Sequence, residues 1–136
     1  MNNTKKILIA NRGVIAIRAL RAAKELGYEV ASVYSTADKN LKHLKLSDEA
    51  ICIGPPDSRD SYLNEAAIIS AAELANVDGI YPGYGFLAEN AEFAQNVIES
   101  GIIWIGPKPE TIISMGNKDI ARELAIKNNL PICPGL

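Results

Sequence analysis

Short apolar runs alternate with longer stretches of helical periodicity, and that alternation decides what this chain can fold into. Residues 6–11, 29–35, 49–53, 77–81 and 102–105 are compact apolar runs, most of them ended by glycine, proline or polar residues. Such runs, lacking strict alternation of polar and apolar side chains, suit strands buried on both faces. Between and after them, 13–26, 62–75, 90–100, 109–115 and 118–128 carry apolar residues at helical spacing. Residues 35–46 are polar and basic and read as a connection with room for a helical turn. Residues 131–136 read as extended. The pattern predicts an α/β domain over 1–136, with parallel strands in the order they occur and helices on both faces, a Rossmann-like open sheet. Right-handed crossovers should join its strands.

Two strand-to-helix turns matter in such a sheet, because ligands sit outside the carboxyl ends of the strands. The first, Asn11-Arg12-Gly13, has one glycine where a dinucleotide fingerprint needs G-x-G-x-x-G. A nicotinamide or flavin module is therefore disfavoured. The second is Tyr81-Pro82-Gly83-Tyr84-Gly85-Phe86-Leu87-Ala88-Glu89-Asn90. Pro82 ends the strand by removing a donor. Gly83 and Gly85 permit positive φ and leave backbone amides open to a ligand. Tyr84 stands between them, and Glu89 offers a carboxylate near the next helix start. On residue chemistry alone this is either a tight glycine turn with an exposed ring or a binding turn.

The net charge of −2 gives no argument for a nucleic-acid or bilayer partner. The apolar run after Lys6 is too short for a signal-peptide core or a membrane span, which makes the cytoplasm the expected compartment. Cys52 and Cys133 match no metal spacing and read as two buried reduced thiols. His43, the one histidine, lies in the basic connection and reads as solvated. In the first helix Ile15, Ala19, Ala22 and Leu26 form a stripe expected to face the sheet. Arg18, Arg21 and Glu25 form another, which reads as a solvated face with a helical ion pair. In the later helices Leu63, Ala67, Ile68, Ala71 and Leu74, then Phe93, Val97 and Ile98, are expected to face inward.

The second turn resembles the Pro-Gly-Tyr-Gly-Phe-Leu-Ser-Glu-Asn signature of biotin carboxylases, with Ala88 in place of serine. Ala10-Asn11-Arg12-Gly13 is similar to the family's opening motif, with Val14 where glutamate is usual. Ser61-Tyr62-Leu63-Asn64, Ile68-Ile69-Ser70-Ala71-Ala72, Ile105-Gly106-Pro107-Lys108 and Met115-Gly116-Asn117-Lys118 also resemble that family, in the same order.

The resemblance implies the N-terminal domain of a longer enzyme, with an ATP-grasp region after Leu136 holding the metal-binding glutamates and a catalytic arginine. It implies ATP, bicarbonate and magnesium as reactants and cofactor, and biotin presented on a biotin carboxyl carrier protein or domain. Acetyl-CoA, propionyl-CoA or pyruvate carboxylation would be the parent activity. No catalytic or metal-binding residue is carried over to this stretch. Lys118 matches a lysine that contacts ATP phosphates, although its own chemistry also suits a surface lysine. Gly83, Tyr84, Gly85 and Glu89 match the border of the biotin and phosphate-acceptor pocket. Arg18, Arg21 and Glu25 match positions at a homodimer interface. The isolated domain is expected to be inactive. The alternative is a non-catalytic nucleotide-sensing or dimerisation module of the same fold. Ala88 loses a hydroxyl that could cap the following helix, a cost of about 1 kcal/mol unless Asn90 takes over as N-cap.

Overall fold

The structure, a computed structural model, describes residues 5–133. In chain order the elements are β1 (Lys6–Ile9), α1 (Gly13–Glu25), β2 (Glu29–Ser35), α2 (Lys42–Leu46), β3 (Glu49–Gly54) and α3 (Glu65–Leu74). They continue with β4 (Gly79–Tyr81), α4 (Ala91–Glu99), β5 (Ile103–Trp104), α5 (Pro109–Gly116) and α6 (Lys118–Lys127). Single 3-10 turns sit at Thr36–Asp38, Ser58–Asp60 and Phe86–Glu89. Residues 131–133 have no regular structure; the rest of the expected extended tail, 134–136, and the first four residues of the chain lie outside the described residues.

All four strand pairings are parallel. The strands do not cross the sheet in chain order, as the alternation alone suggested; the order is β3-β2-β1-β4-β5. The chain begins in the middle, winds outward through β2 and β3, then returns to β1's other edge with β4. The first strand is thereby flanked on both sides, which suits the buried apolar run Ile7–Ile9. The return creates a switch point between β1 and β4, where the two following connections diverge and leave a crevice.

Side chains of β1 alternate between two cores, as strand geometry requires. Leu8 shares one cluster with Val33 of β2, Ile68 of α3, Ile80 of β4 and Phe93 of α4. Ile7 and Ile9 share the other with Ala16, Leu20 and Ala23 of α1. Helices therefore cover both faces. Phe93 meets Trp104 edge-on, with ring centroids 5.6 Å apart.

Four expectations about side chains are corrected. The stripe that α1 buries is Ala16, Leu20 and Ala23, whereas Ala22 and Leu26 are exposed and Ile15 and Ala19 are half-buried. The helix is apolar around much of its circumference, so periodicity alone could not set its phase. Leu63 is exposed because it lies in the turn before α3, which starts only at Glu65, and Leu74 and Ile98 are exposed because α3 and α4 each bury a narrower face than their apolar content offers. Cys52 and Cys133 are free, as expected, but exposed. His43 is fully buried on the inner face of α2, which packs on α1 and β2. Asn90 does cap α4, accepting the Phe93 N–H at 2.9 Å.

Candidate functional site at the sheet switch point

The ends of β1 and β4 bring the two turns together. Asn11 follows β1 and is 3% exposed. Its side-chain amide donates to the Pro82 carbonyl at 2.8 Å and to the Tyr84 carbonyl at 2.9 Å. Its Oδ1 accepts the Arg12 N–H at 2.9 Å. Every polar atom of the side chain is engaged, which is what a buried amide needs.

Gly83 and Gly85 have φ of +73° and +69°. A Cβ on Gly83 would lie 2.5 Å from Ile15 Cδ1 and 3.0 Å from Asn11 Nδ2, whereas one on Gly85 would meet nothing within 4 Å. Gly83 lets the turn press against α1; Gly85 leaves bare backbone toward open space. Phe86, a non-glycine, also has positive φ (+45°), a sparsely populated conformation that surrounding contacts must hold. Its ring stacks on Tyr62 at 5.0 Å. Tyr84 contributes no such packing and is 72% exposed. Tyr84, Gly85 and Phe86 line one side of a cleft, and Asn11, Arg12 and Gly13 line the other.

Arg12 carries the charge at this cleft. Its Nε and Nη2 donate to the two Asp38 carboxylate oxygens, both at 2.6 Å, a bidentate pair. Tyr62 Oη also donates to Asp38, at 2.7 Å, while accepting the Ser35 N–H at 3.1 Å. The Arg12 hydrogen bonds hold the Asp38 carboxyl below its ordinary pKa and raise Arg12 in turn. Burial, with the Asp38 hydrogen bond, pushes the Tyr62 phenol up to about 12. At neutral pH the trio is therefore a charged pair with a neutral phenol.

A second concavity, an apolar groove of about 460 Å³, runs from Tyr84 along α1 past Ile15, Ala19, Ala22 and Leu26 to Tyr28. The stripe expected to face the sheet is thus one wall of an open groove. Arg18 also lines it, while Arg21 and Glu25 stand exposed on the same helix. Glu89 is exposed in the 3-10 turn and lines neither concavity. Lys118 is the first residue of α6, exposed, and lines neither concavity. The structure therefore places Tyr84 and Gly85 at the cleft, while Gly83 packs behind them on α1 and Glu89 and Lys118 line neither concavity. Among the described residues no group of three or more His, Cys, Asp or Glu is placed to hold a metal ion.

Asn11, Asp38 and Tyr62 were not singled out from the sequence as site residues. An asparagine directly after a buried strand, facing a proline-glycine turn, is a usable signal for the first. Nothing local marks Asp38, since its partners are distant in sequence.

An open parallel sheet with helices on both faces and a glycine turn at its switch point define an α/β domain of the doubly wound kind. The family sequence model for the biotin carboxylase N-terminal domain matches residues 3–112, and the chain belongs to that family. Biotin carboxylase 1 of Bacillus subtilis is 53% identical over 131 residues, a match covering 96% of this chain and 29% of that protein. Among solved structures, a biotin carboxylase–beta-gamma-ATP complex from Campylobacter jejuni superimposes with a TM-score of 0.91 at 48% identity, over 97% of this chain and 30% of that one. A multifunctional pyruvate carboxylase from Rhizobium etli gives a TM-score of 0.88 at 43% identity, over 96% of this chain and 14% of that one. The chain thus spans less than a third of the length of these relatives.

Proposed function

We propose that this domain works within an ATP-dependent biotin carboxylase, supplying part of the biotin and nucleotide pocket of an enzyme that carboxylates carrier-bound biotin with bicarbonate. The observation that carries this reading is the Tyr84 turn. An exposed aromatic ring stands between two positive-φ glycines at the switch point, and open space lies over Gly85. A flat, exposed ring beside bare backbone suits a small bicyclic ligand with one polar edge, as biotin is. Glu89 borders the same turn. Lys118, at the N-terminus of α6, suits ATP phosphate, where a compact cation and the positive end of a helix act together. Magnesium would be held by residues elsewhere in the enzyme. Bound with ATP, it would neutralise charge developing on the transferred phosphoryl group.

Arg18, Arg21 and Glu25 are proposed to form part of a homodimer contact, and a biotin carboxyl carrier protein or domain is the proposed delivery partner. No helix among the described residues is long and apolar enough to cross a membrane, and the cytoplasm is the proposed compartment. The 136-residue chain alone is proposed to be inactive, since a nucleotide held from one side would remain in water, where charge stabilisation is weak.

The test is an assay of the full-length carboxylase that carries this chain, following phosphate release with ATP, magnesium and bicarbonate. Stimulation by free biotin, with carboxybiotin as product, is expected. Nucleotide binding without biotin-dependent turnover would favour a sensing or dimerisation module instead.

A further inference from the structure

Resting on the reading of the Tyr84 turn as the biotin-side wall, we infer that Asn11 is a positioning residue for that wall. It acts from the turn after the neighbouring strand β1 and touches no ligand itself. The Phe86 ring stacked on Tyr62 and the Ala88 N–H to Gly85 carbonyl bond hold the far end of the turn, and its near end relies on Asn11. Among the described residues, the only side-chain hydrogen bonds to residues 82–85 come from Asn11. The orientation of the Asn11 amide is fixed: its Oδ1 is committed to the Arg12 N–H, so both hydrogens of Nδ2 face the Pro82 and Tyr84 carbonyls. Reversing the amide would set an oxygen against two oxygens. Gly83 packs close enough that its Cβ position is 3.0 Å from that same nitrogen. One buried amide thus spans the two carbonyls on either side of Gly83, and sets how the Tyr84 ring and Gly85 backbone meet the cleft.

Glycine-rich backbone visits many conformations. If the turn were not held, part of the ligand's binding free energy would go into ordering it, and apparent affinity would fall with the fraction of competent turn. A positioning role therefore differs from plain structural support in what it changes. It should alter recognition at the turn and leave the nucleotide side alone.

The experiment uses Asn11→Asp and Asn11→Ser in the full-length carboxylase. Aspartate keeps size and the acceptor for the Arg12 N–H but has no donor. Serine offers one donor, introduces no buried charge, and serves if the aspartate variant does not fold. Amide hydrogen exchange at residues 83–88 and KM values for free biotin and ATP are measured on the folded variants. The expected result for Asn11→Asp is exchange at 83–88 and a KM for biotin each raised about tenfold, the scale of losing two hydrogen bonds. Its KM for ATP should stay within about twofold, and Asn11→Ser should fall between wild type and Asp. Unchanged exchange at 83–88, an unchanged KM for biotin, or equal rises for biotin and ATP would overturn the positioning role. A wild-type enzyme that turns over ATP without responding to biotin would instead overturn the reading of the site, and this role with it.

Discussion

Gly83 and Gly85 share a positive φ but not an environment, and the difference predicts different consequences for the same substitution. At both, alanine strains the backbone, at about 1–3 kcal/mol. At Gly83 the new methyl also overlaps Ile15 and Asn11, whereas at Gly85 it points into open space. Gly83→Ala is expected to destabilise by about 1 kcal/mol or more beyond Gly85→Ala, the scale of overpacking. Denaturant midpoints of the two variants measure this, and equal losses would contradict it. His43 makes a second prediction at this scale. It is fully buried, and neither ring nitrogen has a hydrogen-bond partner of good geometry. Burial lowers its pKa, and Arg12 lowers it slightly further; the Val33 backbone and Asp38 oppose this in part. Below the unfolded value of about 6.5 the unfolded chain takes up the proton first, so the neutral buried ring loses stability as pH falls from there toward its folded value. His43→Leu should flatten the fall in stability as pH drops below about 6.5. Parallel pH profiles for variant and wild type would show that His43 does not titrate in that window. The sequence could not place this residue. A histidine among lysines reads as solvated until α2 is known to pack under α1 and β2.

At the scale of elements, β-strand identity was legible and helix phase was not. Every apolar run read as a strand holds one, and most are bounded by glycine, proline or polar residues. Phase in α1 depends on which of several small apolar residues meet the sheet, and alanine fits either face. The stripe Ile15, Ala19, Ala22 and Leu26 was correctly read as apolar but belongs to an open groove rather than the core. The capping of α4 was left open by the sequence, and Asn90 takes it over where Ala88 has no hydroxyl. The charged stripe of α1 gives the element-scale prediction. Arg18, Arg21 and Glu25 are exposed, so their charges add little to this domain's own stability. Enclosed by a partner, a reversed charge would be strongly unfavourable. Arg21→Glu in the full-length carboxylase is expected to weaken dimerisation at least tenfold with little change in thermal stability at low concentration. An unchanged sedimentation profile would remove Arg21 from the interface.

For the whole molecule, the alternation of runs gave the parallel sheet and its two covered faces but not the order of its strands. Order is a matter of long-range pairing: β1 reaches β4 across some seventy residues of chain, as the Ile7–Gly79 pair shows, and no local pattern encodes that choice. The switch point that follows from it is what brings Asn11 to the Tyr84 turn. It also explains why the candidate site was half legible. The glycine turn announces itself locally, while Asn11, Asp38 and Tyr62 join it only through the fold. This domain is proposed to lend separate contacts to two ligands, the Tyr84 turn to biotin and the α6 N-terminus to ATP. The most direct test is steady-state kinetics of Tyr84→Ala and Lys118→Gln in the full-length carboxylase, with free biotin and ATP each varied. Both side chains are exposed, so neither change should unfold the protein. Tyr84→Ala is expected to raise the KM for biotin about tenfold with ATP little affected, and Lys118→Gln to do the reverse. Two variants that shift both constants alike, or neither, would contradict the division of roles.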